Sequence, residues 1–179
     1  MKRKLKLYIA CSLDAYIATG DGSVDWLHSL EDIGTDYGYQ AFYDSIDTTL
    51  MGYRTFQEIL NFDVPFPYSD KTNYVFSREP REEQGLPVKF IAEDAAAFVQ
   101  QLKDQPGADI WLIGGGQLNT LLLNAGLLDE MIISMAPIVL GSGVPLFAPT
   151  AEMQQMKLVS CATFASGMTQ MLYHPQKKI

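Results

Sequence analysis

A chain of 179 residues, 47% hydrophobic and 19% charged, has the size and balance of one domain with a full core, spanning 1–179. Its formal net charge of −8 argues against a nucleic-acid binder, which shows a basic surface, yet a local pocket of N–H groups and arginines can still hold an anionic small ligand. Apolar runs are too short to span a bilayer, and the basic start Met1-Lys2-Arg3-Lys4 leads into strand-like alternation rather than a signal-peptide core, so a cytoplasmic protein is expected.

Residues 5–11 read as a strand, continued by a short extended piece over 12–18 and a turn-rich loop over 19–23. Asp36 can cap a helix running to about residue 46, with Tyr39, Phe42, Tyr43 and Ile46 on one side. A short strand over 48–51 breaks at Gly52, and a helix follows over 55–60. A proline-bearing loop over 61–70 precedes strands at 72–77 and 88–91, a helix at 93–103 and a strand at 110–113. Next come a helix over 117–125, a strand over 130–136, and a glycine–proline loop to residue 147. Strands over 158–164 and 168–174 close the chain as a hairpin around Ala165-Ser166-Gly167. Strands alternating with helices predict an α/β protein with a largely parallel sheet covered on both faces, made mixed by the hairpin. Cys11 and Cys161 stand in strand-like segments without a CxxC pair and read as buried thiols. His28 and His174 form no metal-ligand cluster with them, and no zinc or iron chemistry is indicated.

The most informative stretch is Ile110-Trp111-Leu112-Ile113-Gly114-Gly115-Gly116-Gln117. A strand-type run stops at three glycines, and Leu118, Leu121, Leu122 and Ala125 then recur at helical spacing. Residues without side chains at such a turn let a ligand touch bare backbone, and the new helix points unpaired N–H groups there. That is a place for a phosphate or pyrophosphate; a tight turn with close helix–sheet packing is the plainer alternative.

Ligands of such sheets gather beyond the carboxyl ends of the strands. Two further strand ends, Met51-Gly52-Tyr53-Arg54-Thr55 and Ser77-Arg78, would join the glycines in one crevice if the strands are parallel neighbours. Two arginines, two hydroxyls and two helix N-termini suit a ligand with several phosphates, and NADP more than NAD. The G-x-G-x-x-G fingerprint is absent, as are a nucleophile elbow and a P-loop, so a cofactor would supply the chemistry. Asp36, near Tyr39, Phe42 and Tyr43, is the candidate acid, with a plain helix cap as the alternative. Trp26 either covers the site from its loop or packs in the core.

Ile9-Ala10, Asp14-Ala15-Tyr16-Ile17, Met51-Gly52-x-Arg54-Thr55-Phe56, Val75-Phe76-Ser77-Arg78 and Ile113-Gly114-Gly115-Gly116 together resemble the dihydrofolate reductase superfamily. The run from Ala136-Pro137 through Gly141-Ser142-Gly143-Val144-Pro145-Leu146-Phe147, with Gly22-Ser23-Val24-Asp25-Trp26-Leu27, resembles its RibD C-terminal domain branch, the reductase half of the riboflavin-biosynthesis deaminase/reductase. The resemblance implies a three-layer α/β/α sandwich, NADPH as cofactor and a homodimer. It implies that Ala10 and Ile17 meet the nicotinamide carboxamide through backbone groups. Gly52, Arg54 and Thr55 would hold the pyrophosphate and adenosine phosphate, and Ser77 and Arg78 would flank the adenosine ribose phosphate. Ile113, Gly114, Gly115, Gly116, Gln117 and Leu118 would cradle the cofactor from the other side.

Trp26, Asp36, Tyr39 and Phe42 are the expected substrate contacts, with Asp36 as proton donor. The reference substrate is 5-amino-6-(5-phosphoribosylamino)uracil, with a pterin or another imine open to a free-standing member. Tyr53 stands where the family often has an arginine. Two other readings stay open: a dihydrofolate reductase, and a non-catalytic nucleotide-binding protein.

Overall fold

The computed structural model describes residues 2–30, 35–82 and 85–176. The chain runs β1 (Leu5–Cys11), β2 (Tyr16–Ala18), a 3-10 turn (Asp25–Leu30), α1 (Tyr39–Asp44), β3 (Ile46–Gly52), α2 (Tyr53–Leu60), β4 (Thr72–Phe76) and β5 (Val88–Ile91). It continues through α3 (Ala95–Asp104), β6 (Asp109–Gly114), α4 (Gly116–Asn124), β7 (Glu130–Met135), β8 (Val144–Pro145), β9 (Met156–Thr163) and β10 (Thr169–Pro175). Eight strands form one sheet in the order β5-β4-β3-β6-β1-β7-β10-β9, and β2 pairs with β8 in a small antiparallel sheet. Pairs from β5 to β7 are parallel; β10 runs antiparallel to β7 and β9.

The strands are apolar on both faces because helices cover both. Leu5, Leu7, Leu50, Ile110 and Leu112 point to one side, where Val99 and Leu102 of α3 and Leu118 and Leu122 of α4 pack. Met51, Val75 and Trp111, one residue out of step, point to the other, against Phe42 of α1 and Phe56 and Ile59 of α2. The period of two along each strand thus sorts one apolar sequence into two cores, and the result is an α/β/α sandwich around a mixed, mostly parallel sheet.

Several boundaries differ from the sequence reading. The helix expected from Asp36 begins at Tyr39, because Tyr37 and Gly38 have φ of 52° and 76° and turn the chain in the left-handed region. It stops at Asp44, and Ile46 belongs to β3 instead. Cys11 is buried as expected, whereas Cys161 is exposed, on the edge strand β9, most of whose residues are exposed. Among the described residues no helix is long and apolar enough to cross a membrane.

Candidate functional site

Gly52 ends β3 in an extended conformation and opens α2 without a side-chain cap. Gly115 does the same between β6 and α4. The first N–H groups of both helices are therefore left for another partner. The two turns are neighbours: Met51 pairs with Gly114, and a methyl added at Gly52 would lie 3.8 Å from the Gly114 carbonyl oxygen. A methyl at Gly115 would lie 3.3 Å from Thr55 Oγ1 and 3.8 Å from Ile17 Cδ1. Gly52, Thr55, Gly115 and Ile17 thus line one bare-backbone cradle.

The end of β4 joins it, because β4 is the parallel neighbour of β3 and Gly52 pairs with Phe76. Beyond Phe76, Arg78 Nη2 donates to Gln117 Oε1 at 3.4 Å, bridging to the first turn of α4. Arg81, which the sequence reading passed over, donates from Nε to Ser77 Oγ at 3.0 Å and lies 3.9 Å from the centre of the Tyr53 ring. A guanidinium therefore sits beside Tyr53; the second arginine three residues after Arg78 was the available signal. Arg54 is exposed on the first turn of α2. Ile113 and Leu118 stand on either side of the glycines, and Leu118 is buried in the core below them. The donors here, uncapped helix N-termini, two hydroxyls and arginines, are chemically matched to a dinucleotide that carries phosphates.

A second space opens next to this crevice. A cleft of about 270 Å³ lies between β1, β7 and α1, lined by Tyr8, Ala10, Leu27, Leu30, Asp36, Tyr37, Tyr39, Ser134 and Met168. Ala10 reaches the cleft, and the preceding Ile9 side chain lies 3.5 Å from where a Gly114 methyl would be, so β1 separates cleft from crevice by one residue. Of the expected substrate contacts, Asp36 and Tyr39 line the cleft. Phe42 is buried behind it, stacked on Tyr8 with ring centres 4.4 Å apart. Trp26 is absent from the lining, which its neighbours Leu27 and Leu30 provide; its indole nitrogen is buried with no partner among the described residues.

The wall is fixed by Tyr37. Its carbonyl accepts from the Tyr8 hydroxyl at 3.2 Å and from Gln170 Nε2 at 3.0 Å, and its own hydroxyl donates to Ser166 Oγ at 2.9 Å. Gln170 also donates to Ser134 Oγ at 3.0 Å. Burial pushes the Tyr8 hydroxyl above its ordinary pKa. Asp36 accepts from the backbone N–H groups of Gly38 (2.9 Å) and Gln40 (3.3 Å), and those two bonds, Gly38 first, hold its carboxyl below the usual carboxylate range. Both bonds favour the ionised form of the carboxylate. Tyr8, Tyr37, Ser134, Met168 and Gln170 were not singled out in the sequence; they come from separate segments that only the sheet order assembles.

Known proteins resemble this chain in sequence and in fold. A family model described as the RibD C-terminal domain matches residues 3–170. YwjB of Bacillus subtilis (strain 168), itself described as uncharacterized, is 42% identical over 168 residues, covering 94% of this chain and 96% of its own. A crystal structure of a protein assigned to riboflavin biosynthesis in Shewanella sp. PV-4 superimposes with a TM-score of 0.88 at 31% identity, over 99% of this chain and 100% of the other. The Thermotoga maritima diaminohydroxyphosphoribosylaminopyrimidine deaminase/5-amino-6-(5-phosphoribosylamino)uracil reductase gives 0.73 at 15% identity, over 98% of this chain and 57% of that one. Dihydrofolate reductase from Enterococcus faecalis, complexed with NADP(H), gives 0.68 at 13% identity, over 99% and 100%. These last two share the fold alone.

Proposed function

This chain belongs to the RibD C-terminal domain family, and on that premise we propose that it is an NADPH-dependent reductase acting on a small flat heterocyclic or ribosylamino substrate. The observation that carries this reading is the pairing of two helix N-termini without side-chain caps, at Gly52 and Gly115, whose turns are neighbours. The N–H groups of that cradle would hold the pyrophosphate, with Thr55, Arg54 and Gln117 beside it. Ser77, Arg78 and Arg81 would take the adenosine ribose phosphate, which only the phosphorylated cofactor carries. Backbone groups of Ala10 and Ile17 would orient the carboxamide. A reduced nicotinamide supplies a hydride when bound, and the cleft beyond Ala10 would hold the acceptor against Tyr8 and Tyr39. The same reading makes the protein a homodimer. The exposed edge strand β9 supports that, because it is paired on one side alone, with β10.

Titration with NADPH and NADH tests the assignment. Arg78→Ala should weaken NADPH by about tenfold or more and leave NADH nearly unchanged. Equal loss for both cofactors would remove Arg78 from the phosphate site, and no binding of either would remove the reductase reading.

A further inference from the structure

Three arginines stand around the crevice, all exposed, and the fold restrains them to different degrees. Arg54 has no hydrogen bond or ion pair among the described residues. Arg78 has one bond, the 3.4 Å contact with the Gln117 side chain. Arg81 is fixed from two directions. Its Nε donates to Ser77 Oγ at 3.0 Å, and its guanidinium carbon lies 3.9 Å from the centre of the Tyr53 ring. That ring is backed by Phe56 and Phe90, with centres 6.3 and 6.2 Å away, and the Tyr53 hydroxyl has no hydrogen bond among the described residues. Ser77 is anchored too: its N–H donates to the Ile91 carbonyl at 3.0 Å, and its Oγ also accepts from the Glu79 N–H at 3.3 Å. The remaining contact of Arg81 is an ion pair with the exposed Glu79 at 3.6 Å.

A free arginine loses much side-chain freedom when it grips an anion, so a guanidinium already held in place binds more tightly. A tyrosine face attracts the flat cation and fixes its plane. With Nε spent on Ser77 and one face on Tyr53, the Nη groups of Arg81 are the donors left for a ligand. The exposed pair with Glu79 costs little to displace. The Ser77 oxygen already accepts from two N–H groups, which leaves its own proton to donate. Planar Nη donors beside a hydroxyl suit a phosphate monoester. Resting on the reductase reading of this crevice, we propose that Tyr53 is a positioning residue, whose ring seats Arg81 so that its Nη groups and the Ser77 hydroxyl form a preformed grip for the phosphate on the adenosine ribose. Preference for the phosphorylated cofactor then depends on an aromatic side chain that does not itself hold the phosphate.

NADPH, NADH, 2′-AMP and 5′-AMP are titrated into the full chain and its variants, with a thermal melt on each. Tyr53→Leu removes the aromatic face and should weaken NADPH about fivefold or more while changing NADH by less than about twofold. Tyr53→Phe keeps the face and should match the parent. Arg81→Ala combined with Tyr53→Leu should bind NADPH about as Arg81→Ala does alone, because the two changes remove one interaction. Losses that add, an equal loss for NADH, or a Tyr53→Phe as weak as Tyr53→Leu would each overturn the proposal. Should Tyr53→Leu fail to fold, Arg81→Lys carries the test. It keeps the charge but not the flat fork, so it should lose most of what Arg81→Ala loses; full NADPH affinity would overturn the seat. If NADPH binds and its margin over NADH survives Tyr53→Leu, the seat falls and the reductase reading stands. If neither dinucleotide binds, the reductase reading falls, and 2′-AMP decides the seat by itself. Binding about tenfold tighter than 5′-AMP, and weakened by Tyr53→Leu, supports it; no preference overturns it.

Discussion

The three glycines after β6 do different work. A methyl at Gly116 would sit 2.1 Å from the Pro145 carbonyl oxygen, a backbone atom that can retreat only if the segment around β8 moves. A methyl at Gly115 meets a side-chain hydroxyl at 3.3 Å and an isoleucine methyl at 3.8 Å, contacts that small shifts relieve. Gly116 is thus a packing residue, and Gly115 leaves room for a ligand. Gly116→Ala should lower stability by about 1–3 kcal/mol, the usual range for overpacking. Gly115→Ala should cost less in Tm than Gly116→Ala while weakening NADPH by roughly tenfold or more. Thermal denaturation and a cofactor titration on both variants check this, and a reversed pattern would reassign the two positions.

At the scale of elements, the crevice depends on a clamp between the β1–β2 corner and the loop over 137–147. Asp14 accepts from Ser12 Oγ at 2.5 Å and from the N–H groups of Leu140 (3.1 Å) and Gly141 (2.7 Å). Leu146 N donates to the Ala15 carbonyl, and Asn119 of α4 donates to the Leu146 carbonyl at 3.0 Å. The clamp therefore sets Ile17 against Gly115. Asp14→Ala should raise hydrogen exchange of Leu140 and Gly141 by about tenfold or more and lower cofactor affinity in step; unchanged exchange would mean that other bonds hold the loop. The strands and helices were largely legible in sequence because their apolar periods are local. The crevice was legible in part, since Gly52, Ser77, Arg78 and the glycines at 114–116 stand at strand ends, whereas Arg81 lies beyond the end of β4. The cleft was not. Ser134, Met168 and Gln170 meet Tyr8 and Tyr37 only because β10 returns antiparallel beside β7, and no local pattern encodes that pairing. The start of α1 was misread for a different reason: the left-handed Tyr37 and Gly38 delay the helix to Tyr39, although Asp36 still accepts from the Gln40 N–H of its first turn.

For the whole molecule, the two ends of the sheet carry opposite designs. The carboxyl end is open and bears the crevice; the amino end is laced with ion pairs. Lys2 pairs with Asp104 at 2.7 Å, Lys4 with Glu130 at 2.6 Å, Lys6 with Asp109 at 2.7 Å and Lys103 with Asp129 at 2.5 Å. The buried Arg3 binds Asp47, donates to the Ala108 carbonyl and to Thr48, and so ties β1 to β3 across β6. Burial works to raise the pKa of Asp109, but the bonds from Lys6 and Lys4 outweigh it and hold the carboxyl below the usual range. Lys2, then Gln100, does the same for Asp104. A carboxyl whose pKa is depressed on folding contributes stability that is fully present above the unfolded value of about 3.9 and is lost as pH falls through the folded value. Tm should therefore be nearly flat from pH 7 to about 5 and fall steeply below about 4. Asp109→Asn should be less stable at pH 7, because Lys6 loses its nearer partner, and should fall less steeply in acid, because one linked proton is gone. A series of melts across that range, for parent and variant, reads both slopes; identical acid slopes would place the linkage at other carboxylates and leave the basic N-terminus a solvated tail rather than a fastening of β1.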